Sequence, residues 1–122
     1  MSVDYRSQSL FYILCLFLLC IGCRGSKRFT TGPIPVSSGI RFGLFYPEAE
    51  TISIAGTFND WDPMAHFLSE DPSGYWSIVI PLPKGRYQYM FIIDQHTWIS
   101  DPGADMMVHD GFGRKNSLLV VD

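Results

Sequence analysis

From Gly39 to its end the chain repeats one pattern, short runs of alternating apolar residues cut off by Pro, Gly or Asp. Ile40, Phe42, Leu44 and Tyr46 alternate with Arg41, Gly43 and Phe45 and stop at Pro47. Ile52 and Ile54 form a second run. Trp76, Ile78 and Ile80 form a third, ended by Pro81 and Pro83. Lys84-Gly85 turns the chain into a stretch from Arg86 to Asp94, where Tyr87, Tyr89, Phe91 and Ile93 make an apolar stripe. Trp98 and Ile99 precede Asp101-Pro102, and Ser117 to Val121 is the last run. Successive side chains of a strand point to opposite faces, so a period of two marks strands with one buried face. No window here keeps apolar residues at helical spacing for three turns. Six or seven short strands joined by frequent turns predict an all-β, two-layer antiparallel sandwich. The stretch from Asp101 to Lys115, with Pro102, Gly103, Gly111 and Gly113, is expected to be a loop beside the last strand.

The 122 residues suffice for one domain, and a composition 47% hydrophobic and 15% aromatic argues against disorder for most of it. The formal net charge of −3 hides a segregation. From Gly39 onward eleven carboxylates face five Lys and Arg, whereas Arg24, Lys27 and Arg28 cluster near the front. An acidic domain without a basic stripe argues against nucleic-acid binding. Cys15, Cys20 and Cys23 all precede the domain, which excludes from it a disulfide framework, a thiolate metal site and a cysteine nucleophile.

Leu10 to Gly22 is a run of thirteen residues without a charge. A bilayer span needs about 20, so the run has the length of a secretory signal's apolar part instead. Residues 1–22 are therefore expected to be a signal peptide. Cys20-Ile21-Gly22-Cys23 resembles the lipobox of bacterial lipoproteins, which implies cleavage after Gly22 and a lipid on Cys23. It departs from that pattern at Cys20, where Leu is usual, and a signal cleaved nearby without lipid, or an uncleaved short anchor, is the alternative. Arg24 follows the cysteine where an inner-membrane retention signal would have Asp, which favours the periplasmic face of an outer membrane in an organism that has one. Residues 23–38, rich in Gly, Pro, Ser and Thr from Gly25 on, are expected to be a tether, with the domain at 39–122.

Within the domain the stretch Ile52 to Pro63, ISIAGTFNDWDP, stands apart. Gly56 ends the alternation, and a turn follows that holds Phe58 and Trp61 among Asn59, Asp60, Asp62 and Pro63. A large aromatic ring on a turn either folds back into the core or presents its face to a ligand.

AGTFNDWDP, PLPKGRYQYMFIID, WISDP and DGFGRKNSLLVV, in that order and spacing, resemble the glycogen-binding domain of AMP-activated protein kinase beta subunits. They equally resemble the N-terminal early-set domain of isoamylases and branching enzymes. The resemblance runs from about Ile40 to Val121 and implies an immunoglobulin-like antiparallel β-sandwich. It also implies a site in which two tryptophans and an asparagine hold an α-glucan. Trp61 matches the first tryptophan, Trp98 the second and Asn116 the asparagine, while Phe112 matches an apolar loop residue that reaches past a glucose ring. Gln95-His96-Thr97 is one residue longer than usual before Trp98. Met90 stands where a lysine is common, and Arg114 where a small polar residue is, a guanidinium able to bond sugar or to be solvated. An indole face stacks on the C–H face of a glucose ring, and an amide donates and accepts as neighbouring hydroxyls require.

No GxSxG, P-loop, HExxH or EF-hand pattern occurs, and His66, His96 and His109 stand singly. Turn chemistry accounts for Asp60/Asp62 and Asp101/Asp105/Asp110 better than a metal does, so neither metal nor cofactor is expected. The expected role is a non-catalytic module of the cell envelope that binds α-glucan or maltooligosaccharide and is held to the membrane through lipidated Cys23. The alternative keeps the fold but contacts an envelope protein partner, as a structural or interaction domain without sugar binding.

Overall fold

The computed structural model describes residues 32–122; the expected signal peptide and Cys23 lie outside them. The described strands are β1 (Ile34–Val36), β2 (Gly39–Phe45), β3 (Ile52–Gly56), β4 (Ser69–Glu70), β5 (Tyr75–Ile80), β6 (Gly85–Ile93), β7 (Thr97–Ile99), β8 (Met106–His109) and β9 (Lys115–Val121). A 3-10 turn, Thr57–Asn59, follows β3. Two antiparallel sheets result. One has the order β1-β2-β5-β4, the other β3-β6-β9-β8, with β7 on the same edge of β6 as β9. The architecture is the all-β immunoglobulin-like sandwich that the alternation and the resemblance imply.

Two expectations need correction. The sheet reaches back into the expected tether, because Ile34, Pro35 and Val36 pair with Arg41, Ile40 and Gly39. A three-residue strand is too short to show a period, and its Pro35 is tolerated because β1 is an edge. The segment from Asp101 to Lys115 is not loop throughout, since Met106–His109 pairs with β9 from Leu118 to Lys115. As an edge strand β8 leaves both faces in part exposed, Met106 45% and Met107 41%, so no apolar alternation was there to read.

The core lies between the sheets. Phe42 and Leu44 of β2 meet Ile52 and Ile54 of β3 and Tyr89 and Phe91 of β6, all buried. Each such side chain contributes about 1.5–3 kcal/mol on burial. Phe42 and Tyr89 pack edge to face with centroids 4.9 Å apart. Tyr89 brings a hydroxyl into this apolar layer, and it donates to Asp101 Oδ2 at 2.6 Å. Asp101 is fully buried; its Oδ1 accepts from the Gly103 N–H and its own N–H donates to Ser117 Oγ. Burial pushes the Asp101 carboxyl above the ordinary range, while the bond from Tyr89 holds it down in part. The Tyr89 hydroxyl is pushed up by burial and by the neighbouring Asp101 charge. This buried pair ties the middle of β6 to the start of the β7–β8 connection.

β6 divides core from surface. Tyr89, Phe91 and Ile93 point inward, so Gln88, Met90 and Ile92 form the outward row.

Candidate functional site

The turn after β3 separates its two aromatic rings. Asn59 organises it: its Oδ1 accepts from the Gly56 N–H at 2.9 Å, and its Nδ2 donates to the Ile54 carbonyl at 3.0 Å. Asn59 Nδ2 also lies 3.0 Å from His66 Nδ1. Because the two backbone bonds fix the amide's orientation, Asn59 Nδ2 is the donor in this contact and His66 Nδ1 the acceptor. Phe58 folds back, packing on Phe42, Tyr87 and His66 at the end of the core. Gly56 permits this, since a Cβ there would approach Phe58 Cε1 to 2.8 Å and meet the Gln88 carbonyl. Trp61 faces the other way. Asp60 and Trp61 both adopt left-handed backbone, with φ of 56° and 59°. For a bulky residue that costs about 1–2 kcal/mol. The Trp61 N–H anchors the turn by donating to the Gly56 carbonyl at 2.9 Å.

Trp98 reaches the same face from the opposite edge of β6. The β6–β7 hairpin turns through Asp94 and Gln95, both at positive φ, with the His96 N–H donating to the Ile93 carbonyl. Asp94 Oδ1 also accepts from the N–H groups of Glu50 and Thr51, at 2.7 and 3.1 Å. These bonds hold its carboxyl below the usual range and tie the hairpin to the entry of β3. Register then places Trp98 opposite Ile92, in the outward row. The longer Gln95-His96-Thr97 segment is absorbed in the turn and does not rotate the indole away.

Asn116 comes from β9. Tyr89 pairs with Ser117, so Asn116 lies beside Met90 on the outer face. Its Nδ2 donates to Gln88 Oε1 at 3.1 Å, which fixes the amide and leaves Oδ1 free to accept. Trp61, Met90, Trp98, Asp110, Arg114 and Asn116 line one open depression of about 190 Å3. Met90, 6% exposed, is its floor. The two indoles stand at opposite sides of β6, and neither indole N–H bonds a described residue. Trp76 is the contrast: buried, with its indole N–H donating to the Tyr46 carbonyl at 2.9 Å.

Four of the five expected site residues, Trp61, Trp98, Arg114 and Asn116, thus meet in one place. Phe112 does not line the depression. It stands 91% exposed between Gly111 and Gly113, two residues from both Asp110 and Arg114. Asp110 was read from the sequence as a turn former. It is one, its Oδ1 accepting from the Phe112 and Arg114 N–H groups at 2.7 and 3.1 Å. Those bonds, with the nearby Arg114 charge, hold its carboxyl below the ordinary range. It also borders the depression, which no local sequence signal could reveal.

An open wall of two indoles over a methionine floor, with one fixed amide and a charged rim, suits a ligand with apolar faces and hydroxyl edges. Comparison with known families agrees. The family model for carbohydrate-binding module 48, the isoamylase N-terminal domain, matches residues 30–110, well over half of the chain.

The chain belongs to carbohydrate-binding module family 48.

The match begins before Ile34, in keeping with β1 as part of the module. It ends at Asp110, short of Arg114 and Asn116. Among curated proteins the chain is similar to the 1,4-alpha-glucan branching enzyme GlgB 2 of Xanthomonas campestris pv. campestris, 30% identical over 70 residues. It is 34% identical over 79 residues to the branching enzyme GlgB of Nitrosospira multiformis and 36% over 61 to that of Nitrosomonas eutropha. These stretches cover 56%, 63% and 49% of this chain but only 9%, 10% and 8% of the enzymes. The chain thus spans about a tenth of the length of the relatives it matches.

Proposed function

We propose that this module binds α-glucan chains without catalysing their turnover, by stacking glucose units on Trp61 and Trp98. The observation that carries the reading is the placement of both indoles over Met90 on one open wall, beside an amide fixed by Gln88. Each stack contributes about 1–3 kcal/mol by analogy with stacking on nucleic-acid bases, and Asn116 Oδ1 accepts from a hydroxyl. Met90 supplies apolar contact where a lysine would add a donor, so affinity falls at the weak end for such sites, with Kd on the order of 0.1–1 mM. The matched relatives are glucan branching enzymes by name, which supports an α-glucan over other polysaccharides.

Titration of the module with maltoheptaose tests this by tryptophan fluorescence and calorimetry. Trp98→Ala is expected to abolish binding and leave the melting transition in place. No heat and no fluorescence change at millimolar sugar would overturn the reading and favour an interaction role for the fold. The chain's start supports a further part of the proposal, that Cys23 is lipidated and tethers the module to the envelope. Mass spectrometry of the mature N-terminus is expected to find diacylglycerol on Cys23, and Cys23→Ser to release the protein from membranes.

A further inference from the structure

The rim of the depression carries a pair of opposite charges that the stacking reading does not use. Asp110 and Arg114 are the two ends of the β8–β9 loop, joined by the Asp110 N–H donating to the Arg114 carbonyl at 3.0 Å. Both side chains border the depression together with the indoles and Asn116. Asp110 Oδ1 is held by two backbone N–H groups, so the carboxylate cannot rotate freely. Its Oδ2 accepts from no described residue, and the Arg114 guanidinium bonds none. The rim therefore offers one fixed anionic acceptor and one cationic donor beside a surface made for a sugar ring.

In a 1,4-linked glucan every unit keeps neighbouring free hydroxyls at C2 and C3. One can donate to a carboxylate while the other accepts from a guanidinium, and hydrogen bonds with a charged partner are about twice as strong as neutral ones. We propose that Asp110 is a ligand-contacting residue, with Oδ2 accepting from one hydroxyl of this diol and Arg114 donating to the other. The proposal rests on the stacking reading and narrows it to a class, neutral glucans with an unmodified diol. A phosphate or carboxylate substituent at that diol would lie against Asp110 and be repelled.

The test is calorimetry of the full chain in a zwitterionic detergent, since a maltoside detergent would compete. Asp110→Asn retains the Oδ1 acceptor that shapes the loop and replaces only the anionic oxygen. It is expected to weaken maltoheptaose roughly 5- to 10-fold while the chain keeps a single cooperative melting transition. Maltooligosaccharides deoxygenated at C2 or C3 supply the second arm. One of them is expected to cost the wild-type protein as much as the substitution does, and to cost Asp110→Asn nothing further. Full affinity in Asp110→Asn, while Trp98→Ala still abolishes binding, would overturn the role of Asp110 and leave the stacking intact. If the wild-type protein binds no sugar, both fall. A loss in Asp110→Asn that is equal for the parent and both deoxy sugars would also overturn it, because the carboxylate would then be acting on the loop and not on the diol.

Discussion

The molecule contains two loops built on one plan, Asp71-Pro-Ser-Gly-Tyr75 between β4 and β5 and Asp110-Gly-Phe-Gly-Arg114 between β8 and β9. In each, the aspartate Oδ1 accepts from the N–H groups two and four residues on, and the aspartate N–H donates to the carbonyl four residues on. In each, a glycine at positive φ precedes the last residue, Gly74 at 91° and Gly113 at 86°. The surroundings differ. The Ser73 hydroxyl adds a third bond to Asp71, the Tyr46 N–H donates to the Gly74 carbonyl, and Gly74 lies against Pro47. Nothing lies within 4 Å of a side chain placed at Gly111 or Gly113, and Phe112 occupies the position of Ser73. The same backbone device closes one end of the fold in one place and holds an open rim over the candidate site in the other. Local sequence therefore specifies the loop, while its neighbours specify its use.

The sharpest separation of the two should come from the paired glycines. Gly74→Ala combines the positive φ with a Cβ only 2.5 Å from Pro47 Cβ, and is expected to cost about 2–3 kcal/mol in denaturant unfolding. Gly113→Ala meets the backbone strain alone, about 1 kcal/mol, and is expected to act more on sugar affinity through the displaced Arg114. Equal costs would break the distinction. A smaller effect comes from acid. Asp71 and Asp110 have lowered carboxyl pKa values, by the Ser73 hydroxyl for the first and the Phe112 N–H for the second. The stability they contribute is present above the ordinary carboxylate value of 3.8 and is lost as pH falls through their lower folded values. Buried Asp101 has the opposite sign: its contribution is full below 3.8 and is lost as pH rises through its raised folded value. Melting curves from pH 3 to 7 are expected to slope less on the acid side for Asp71→Asn and Asp110→Asn. The smallest effect on stability belongs to Phe112→Ser, under about 0.5 kcal/mol for so exposed a side chain. A several-fold loss of maltoheptaose affinity in that variant would place Phe112 at the sugar even though it does not line the depression.

The strands with a buried face were legible because burial on one side imposes a period of two, as in Phe42-Leu44 and Tyr89-Phe91-Ile93. β1, β4 and β8 were not, because short edge strands bury too little to leave a pattern. Trp61, Trp98 and Asn116 could be named through resemblance, yet the residues of the turn after β3 could not say which of its rings would fold inward. Asn59 and Gly56 decided it, by giving Phe58 a berth beside Phe42 and leaving Trp61 on the outer wall. Asp110 was legible only as a turn former, since its second role depends on what β6 and β7 bring beside it.

By itself the sequence determined the class of fold, the outward and inward rows of its strands, and where the chain must turn. These depend on neighbours one to four residues away, and hydrophobic alternation, Pro, Gly and Asp encode them directly. The tertiary structure alone decided that one wall would collect Trp61, Trp98, Asn116, Asp110 and Arg114 around Met90. Those residues come from four separate segments, and only strand register and the crossing of the chain between sheets convert their distance in sequence into a single surface.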